Sequence, residues 1–113
     1  MEHEKQIIKT DSAPKAIGPY SAGVRIGDFV YTAGQLGLDP QTGEFVAGGV
    51  EAETEQALKN ISAILTAAGT SLEKVVKTTV FLRDMEDFPK MNQVYGKFFI
   101  TNPPARSTVQ VAA

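Results

Sequence analysis

The chain contains no cysteine. Disulfides, thiol nucleophiles and cysteine-ligated metals are therefore excluded. Histidine is almost as scarce. The single one, His3, sits in a terminus expected to fray. That removes a histidine-cluster metal site and argues strongly against a Ser-His-Asp triad. Any acid–base work falls to carboxylates, tyrosines, backbone groups or water, which suits a reaction needing modest activation. Positive charge is not in excess: 11 Lys and Arg stand against 13 Asp and Glu, a net charge of −2. The basic footprint of a general nucleic-acid or anionic-membrane binder is missing. No apolar run approaches the roughly 20 residues that span a bilayer. The opening Met1-Glu2-His3-Glu4-Lys5 is charged and has no apolar core, so it does not read as a secretory signal. Absence of cysteine also fits the cytosol, and the expected location is cytoplasmic.

What is present suits one domain. The chain has 113 residues, enough for one hydrophobic core. No linker, repeat or low-complexity tract divides it. Residues 6–10 read as a first short strand, and Asp11 to Pro14 with Gly18-Pro19 punctuate the loop after it. Residues 21–26 and 29–33 read as strands separated by Gly27-Asp28, a hairpin signal. Residues 34–49 read as a loop containing the turn Asp39-Pro40-Gln41-Thr42-Gly43.

Residues 51–68 give the clearest helix. Ala57, Leu58, Ile61, Ile64, Leu65 and Ala68 recur at helical spacing. Glu51, Glu53 and Glu55 crowd its first turns, where the macrodipole favours them, and Gly69 suits the position after its end. Residues 75–82 read as a central strand, rich in β-branched and aromatic side chains. A second helix is expected from Asp87 or Phe88 to Phe99, with Pro89 in its first turn and a buried stripe of Phe88, Met91, Val94, Tyr95 and Phe98. Residues 105–111 form the last strand. The order β, β-β, α, β, α, β predicts an α+β fold, with two helices on one face of a mixed sheet. Val24, Ile26, Val30, Val80, Leu82, Val109 and Val111 put apolar residues on both sheet faces, which points to a homo-oligomer with packed sheets.

Arg106 is the foremost candidate for chemistry. Pro103-Pro104 delivers it rigidly to the start of an alternating run. Arginine binds a planar carboxylate through two parallel hydrogen bonds. The alternative is a structural arginine paired with a neighbouring acid. Tyr20, after Gly18-Pro19, either overhangs a cleft or packs on the hairpin. Gly34 either lets a ligand approach the backbone or merely turns the chain. Asn92, beside the apolar stripe of the second helix, either donates to a ligand or makes a local contact. Gly48-Gly49 lacks the lysine and spacing of a phosphate loop, and the three acids read as a solvated helix start.

These residues fall within a wider pattern. Ala16-Ile17-Gly18-Pro19-Tyr20, Tyr31-Thr32-Ala33-Gly34-Gln35, Asp39-Pro40-Gln41-Thr42-Gly43-Glu44, Val75-Val76-Lys77-Thr78-Thr79-Val80-Phe81-Leu82, Met91-Asn92-Gln93-Val94-Tyr95 and Pro104-Ala105-Arg106-Ser107 occur in this order over nearly the whole chain. Each is short, and together they are highly specific. The sequence resembles the Rid/YjgF family of reactive intermediate deaminases. The resemblance implies a chorismate-mutase-like subunit in a homotrimer, with sheets forming a central barrel and ligand clefts between subunits. It implies that Arg106 binds the substrate carboxylate. Tyr20 would border the pocket, Gly34 would offer backbone contacts, Asn92 would lie nearby, and the backbone of Thr108 would face the reacting centre. Ala33 stands where the family often has Ser.

The implied reaction is hydrolysis of a 2-imino acid, derived from an enamine such as 2-aminoacrylate, to a 2-oxo acid and ammonia. It calls for no metal or organic cofactor. A non-catalytic binder of 2-oxo acids and the RNA-cleaving or translation-inhibiting activity ascribed to some relatives are the alternatives. The acidic net charge argues against a nucleic-acid partner. The family pattern continues past the arginine strand into a further strand bearing a Glu that positions water. Here the sequence stops at Ala113. The expectation is one domain over residues 1–113 without that C-terminal strand, either a shortened version of a longer protein, which is favoured, or a short form with an incomplete site.

Overall fold

A computed structural model describes residues 4–113, so His3 lies outside the described residues. The expected hairpin forms first along the chain. Strands β1 (Gln6–Ile8), β2 (Gly23–Ile26) and β3 (Phe29–Thr32) make an antiparallel sheet in that order. Ile26 pairs with Phe29 across the two-residue turn, and Gly27 takes φ 56°, which the tight turn requires of its first residue.

Helix α1 (Gly49–Ala67) begins two residues before the expected Glu51. Glycines at 48 and 49 adopt φ 118° and 74°, and Glu51 stands in the first turn. Its end is closed from two sides. Thr70 N donates to Leu65 O at 2.9 Å and Gly69 N to Thr66 O at 3.0 Å, the paired bonds of a Schellman cap. The Arg25 guanidinium, reaching over from β2, donates to the Ala68 carbonyl.

Strands β4 (Lys77–Leu82) and β5 (Ala105–Gln110) pair in parallel, joined through helix α2 (Phe88–Phe98). A parallel pair needs such a crossover. β4 starts later than expected because Val75 closes a 3-10 turn over Leu72–Lys74. A second 3-10 turn, Met85–Asp87, leads into α2, with Asp84 accepting from Glu86 N at 2.9 Å. The α+β class and both helices are as expected. The antiparallel and parallel pairings expected of one mixed sheet fall in two sheets instead. β4 is accordingly not a central strand: among the described residues it pairs with β5 alone, and no described strand bridges it to β3.

The helices cover one side of both sheets. Ile64 of α1 and Ala68, just past its end, pack with Ile8 and Ala13 above the antiparallel sheet. Met91, Tyr95 and Phe99 pack with Leu82 above the parallel pair, with Leu58 of α1 against them. The expected α1 stripe is buried at Ile64, Leu65 and Ala68 and half-buried at Ala57, Leu58 and Ile61. Strand alternation sends Phe29, Tyr31 and Phe81 to the opposite side, where they are 63%, 62% and 65% exposed. Among the described residues, no helix is long and apolar enough to cross a membrane.

Loop 34–48 is seated on α1. The fully buried Asn60 donates to the carbonyls of Leu36 at 3.2 Å and Leu38 at 2.9 Å, and accepts from Gln56 at 2.9 Å. Gly37 lies so close to the helix that a Cβ there would stand 2.6 Å from Glu53 Cα. The expected turn forms: Gly43 N donates to Asp39 O at 2.8 Å, and the Asp39 carboxylate accepts from Gln41 N at 2.7 Å.

Candidate functional site

Arg106 is the second residue of β5, directly opposite Thr78 of β4. Alternation turns Arg106 and Thr108 toward the helices, half-buried, and Ala105, Ser107 and Val109 away. The approach is fixed by Pro103-Pro104 and by Asn102, which takes a left-handed φ of 51°. Helix α2 crosses above. The Arg106 Cζ stands 4.6 Å from the Tyr95 ring centroid and 5.3 Å from that of Phe88. Both distances are within reach of cation–π attraction. The Tyr95 hydroxyl is in turn hydrogen-bonded to Thr78 Oγ1 at 2.7 Å.

No carboxylate pairs with Arg106 among the described residues. Its surroundings form a cleft of about 370 Å³ lined by α2, through Asn92, Tyr95, Gly96 and Phe99, and by the two prolines before β5. A half-buried guanidinium at the wall of an open cleft, with aromatic neighbours and no acid paired with it among the described residues, has its donors free to receive an anion. The planar donor edge of arginine suits a carboxylate. Among the described residues no group of three or more His, Asp or Glu could hold a metal ion.

The other candidates are spread out. Asn92 lies in the Arg106 cleft, on an exposed turn of α2. Tyr20, 52% exposed, lines a different cleft of about 480 Å³ with Ile8, Lys9, Pro14 and Lys15. Its hydroxyl accepts from Ile17 N at 3.4 Å. Gly34 borders neither cleft. It follows β3 with φ 90°, and a Cβ built there would meet nothing within 4 Å. Thr108 pairs with Val80 deeper along β5, on the face of Arg106 but outside the cleft lining. One copy of the chain thus joins Arg106 with Asn92 and leaves Tyr20 and Gly34 apart.

Sequence reasoning assigned Phe88 and Tyr95 only to the buried stripe of the second helix. They are also the residues that flank the guanidinium. Gly96, Phe99 and Thr78 carried no functional signal. The signal available was geometric: Phe88 and Tyr95 stand seven residues apart on one helix face, above the inward side of the arginine strand.

Comparisons with known proteins identify the family. The family described as Endoribonuclease L-PSP matches residues 10–113. A RutC family protein of Pyrococcus horikoshii is 52% identical, over 96% of this chain and 86% of its own length. The 2-iminobutanoate/2-iminopropanoate deaminase of Homo sapiens is 50% identical, over 96% of this chain and 80% of its own. The crystal structure of RidA from an Antarctic Psychrobacter matches with a TM-score of 0.92 at 49% identity, covering 96% of this chain and 87% of that one. The chain belongs to the Endoribonuclease L-PSP family, which is the Rid/YjgF family that its motifs resemble.

Proposed function

We propose that the protein hydrolyses small 2-imino acids to 2-oxo acids and ammonia, with Arg106 holding the substrate carboxylate. The observation that carries this reading is the half-buried Arg106 guanidinium in an open cleft, without an acidic partner among the described residues. The human relative, a 2-iminobutanoate/2-iminopropanoate deaminase by name, supports the reaction class. An imine carbon is already electrophilic, the more so when its nitrogen is protonated. Water adds to that carbon, and the carbinolamine expels ammonia to leave the 2-oxo acid. Fixing the carboxylate places the carbon, and orientation supplies much of the effect.

In this proposal Asn92 lies beside the bound acid and the Thr108 backbone faces the reacting carbon. Tyr20 and Gly34 reach the cleft from a neighbouring copy in a homotrimer whose chorismate-mutase-like subunits pack sheet to sheet. The separation of Tyr20 from Arg106 within one chain and the exposed aromatic sheet face support that assembly. The substrate class includes the imine of 2-aminoacrylate, and the location is cytoplasmic.

The test is release of ammonia and pyruvate from freshly generated 2-aminoacrylate. Arg106→Ala is expected to reduce the accelerated rate by about 100-fold or more, as loss of a charge-assisted bidentate contact implies. An unchanged rate overturns the reading. The family description favours RNA cleavage as a second reading. Cleavage of RNA that persists through purification and fails in Arg106→Ala would replace the first, against the net charge of −2.

A further inference from the structure

We infer that Phe88 and Tyr95 are positioning residues for Arg106, two aromatic rings that hold the guanidinium plane so that its N–H edge faces the substrate. The inference deepens the proposed carboxylate site and rests on that reading. Phe88 and Tyr95 lie two turns apart on one face of α2, about 10 Å along the helix axis. The Arg106 Cζ lies over both rings, 5.3 Å from the Phe88 centroid and 4.6 Å from that of Tyr95, so both are within cation–π reach of it. Aromatic contact engages the flat faces of a guanidinium. Its hydrogen-bond donors lie in the plane, and stacking leaves them available.

The rings are themselves held. Tyr95 is buried, packs on Phe99 with centroids 4.7 Å apart, and shares a 2.7 Å hydrogen bond with Thr78. Thr78 is also the β4 residue in register with Arg106. One strand position therefore fixes both the backbone that carries the arginine and the ring that orients its side chain. A long, flexible side chain is thereby restrained before substrate arrives, and less ordering entropy is lost on binding.

The test measures the affinity of 2-oxobutanoate by titration calorimetry, together with KM and kcat for imine hydrolysis. Phe88→Leu and Tyr95→Leu are each expected to weaken binding and raise KM about 3- to 30-fold, with kcat far less affected. Tyr95→Phe keeps the ring and should retain most of the affinity. In an Arg106→Ala background, Phe88→Leu should change nothing further, because the two side chains act as one unit. Phe88 is only half-buried, so its variant serves even where Tyr95→Leu fails to fold. Loss of binding in Arg106→Ala alongside parental affinity in Phe88→Leu overturns the positioning role and leaves the carboxylate site standing. Parental affinity in Arg106→Ala overturns both.

Discussion

Asn60 illustrates how a single polar side chain can seat a whole loop. It lies in the middle of α1, fully buried, with its amide shared between two loop carbonyls and a neighbouring glutamine. Buried polar groups persist when their bonds are made, and removing one partner leaves the others unsatisfied. Asn60→Ala is therefore expected to lower stability by about 2–3 kcal/mol, read as a reduced urea midpoint at unchanged slope. The sequence contained the hint, since Asn60 falls one turn before Ile64 on the buried side of the helix. What it bonds was hidden, because a helical period identifies the inward face but not the segment laid on it. Among the candidate site residues Arg106 was the easiest to place: prolines before it and alternation after it fix its position at the start of β5. Its aromatic neighbours Phe88 and Tyr95 pack in the core as their spacing implied, and that they also flank the guanidinium was hidden for the same reason as the partners of Asn60.

At the level of elements, every helix and strand was legible and their ends shifted by a few residues. The reasons are local. Glycines at 48 and 49 adopt left-handed backbone that leads straight into α1, and the 3-10 turn before β4 consumes Val75. Pairing was less legible. The hairpin register follows from a two-residue turn, but the parallel register of β4 with β5 is set by a crossover helix whose docking no local pattern encodes. Helix α2 also carries a glycine, Gly96, in its interior at the cleft wall, where an added Cβ would meet nothing within 4 Å. Gly96→Ala is expected to stabilise the protein by about 0.5–1 kcal/mol through helix propensity and a less free unfolded chain. Thermal unfolding monitored by circular dichroism would show it as a raised Tm.

On the scale of the whole molecule, the outward sheet side is the feature that one chain does not explain. Sequence patterning anticipated apolar residues on both faces but picked valines and isoleucines. Of those, Ile26 and Val109 are indeed exposed, at 37% and 41%, but the most exposed large hydrophobic strand residues are the aromatic Phe29, Tyr31 and Phe81. Patches of this kind mark association surfaces. In the proposed assembly, Phe81→Lys should shift the protein from trimer to smaller species at micromolar concentration, as read by sedimentation equilibrium. A variant that sediments like its parent would remove this face from the interface. Such a shift should also lower imine hydrolysis, since Tyr20 and Arg106 lie in separate clefts of one chain.

The parallel pairing of Thr78 with Arg106 across the whole of α2 has a kinetic consequence. Short-range contacts such as the Gly27 hairpin close quickly, whereas ladders joining distant segments wait for the intervening chain to collapse. A nascent molecule is thus expected to form its hairpin early and to complete the wall that carries Arg106 late, so that the proposed ligand recognition would mature only as folding concludes.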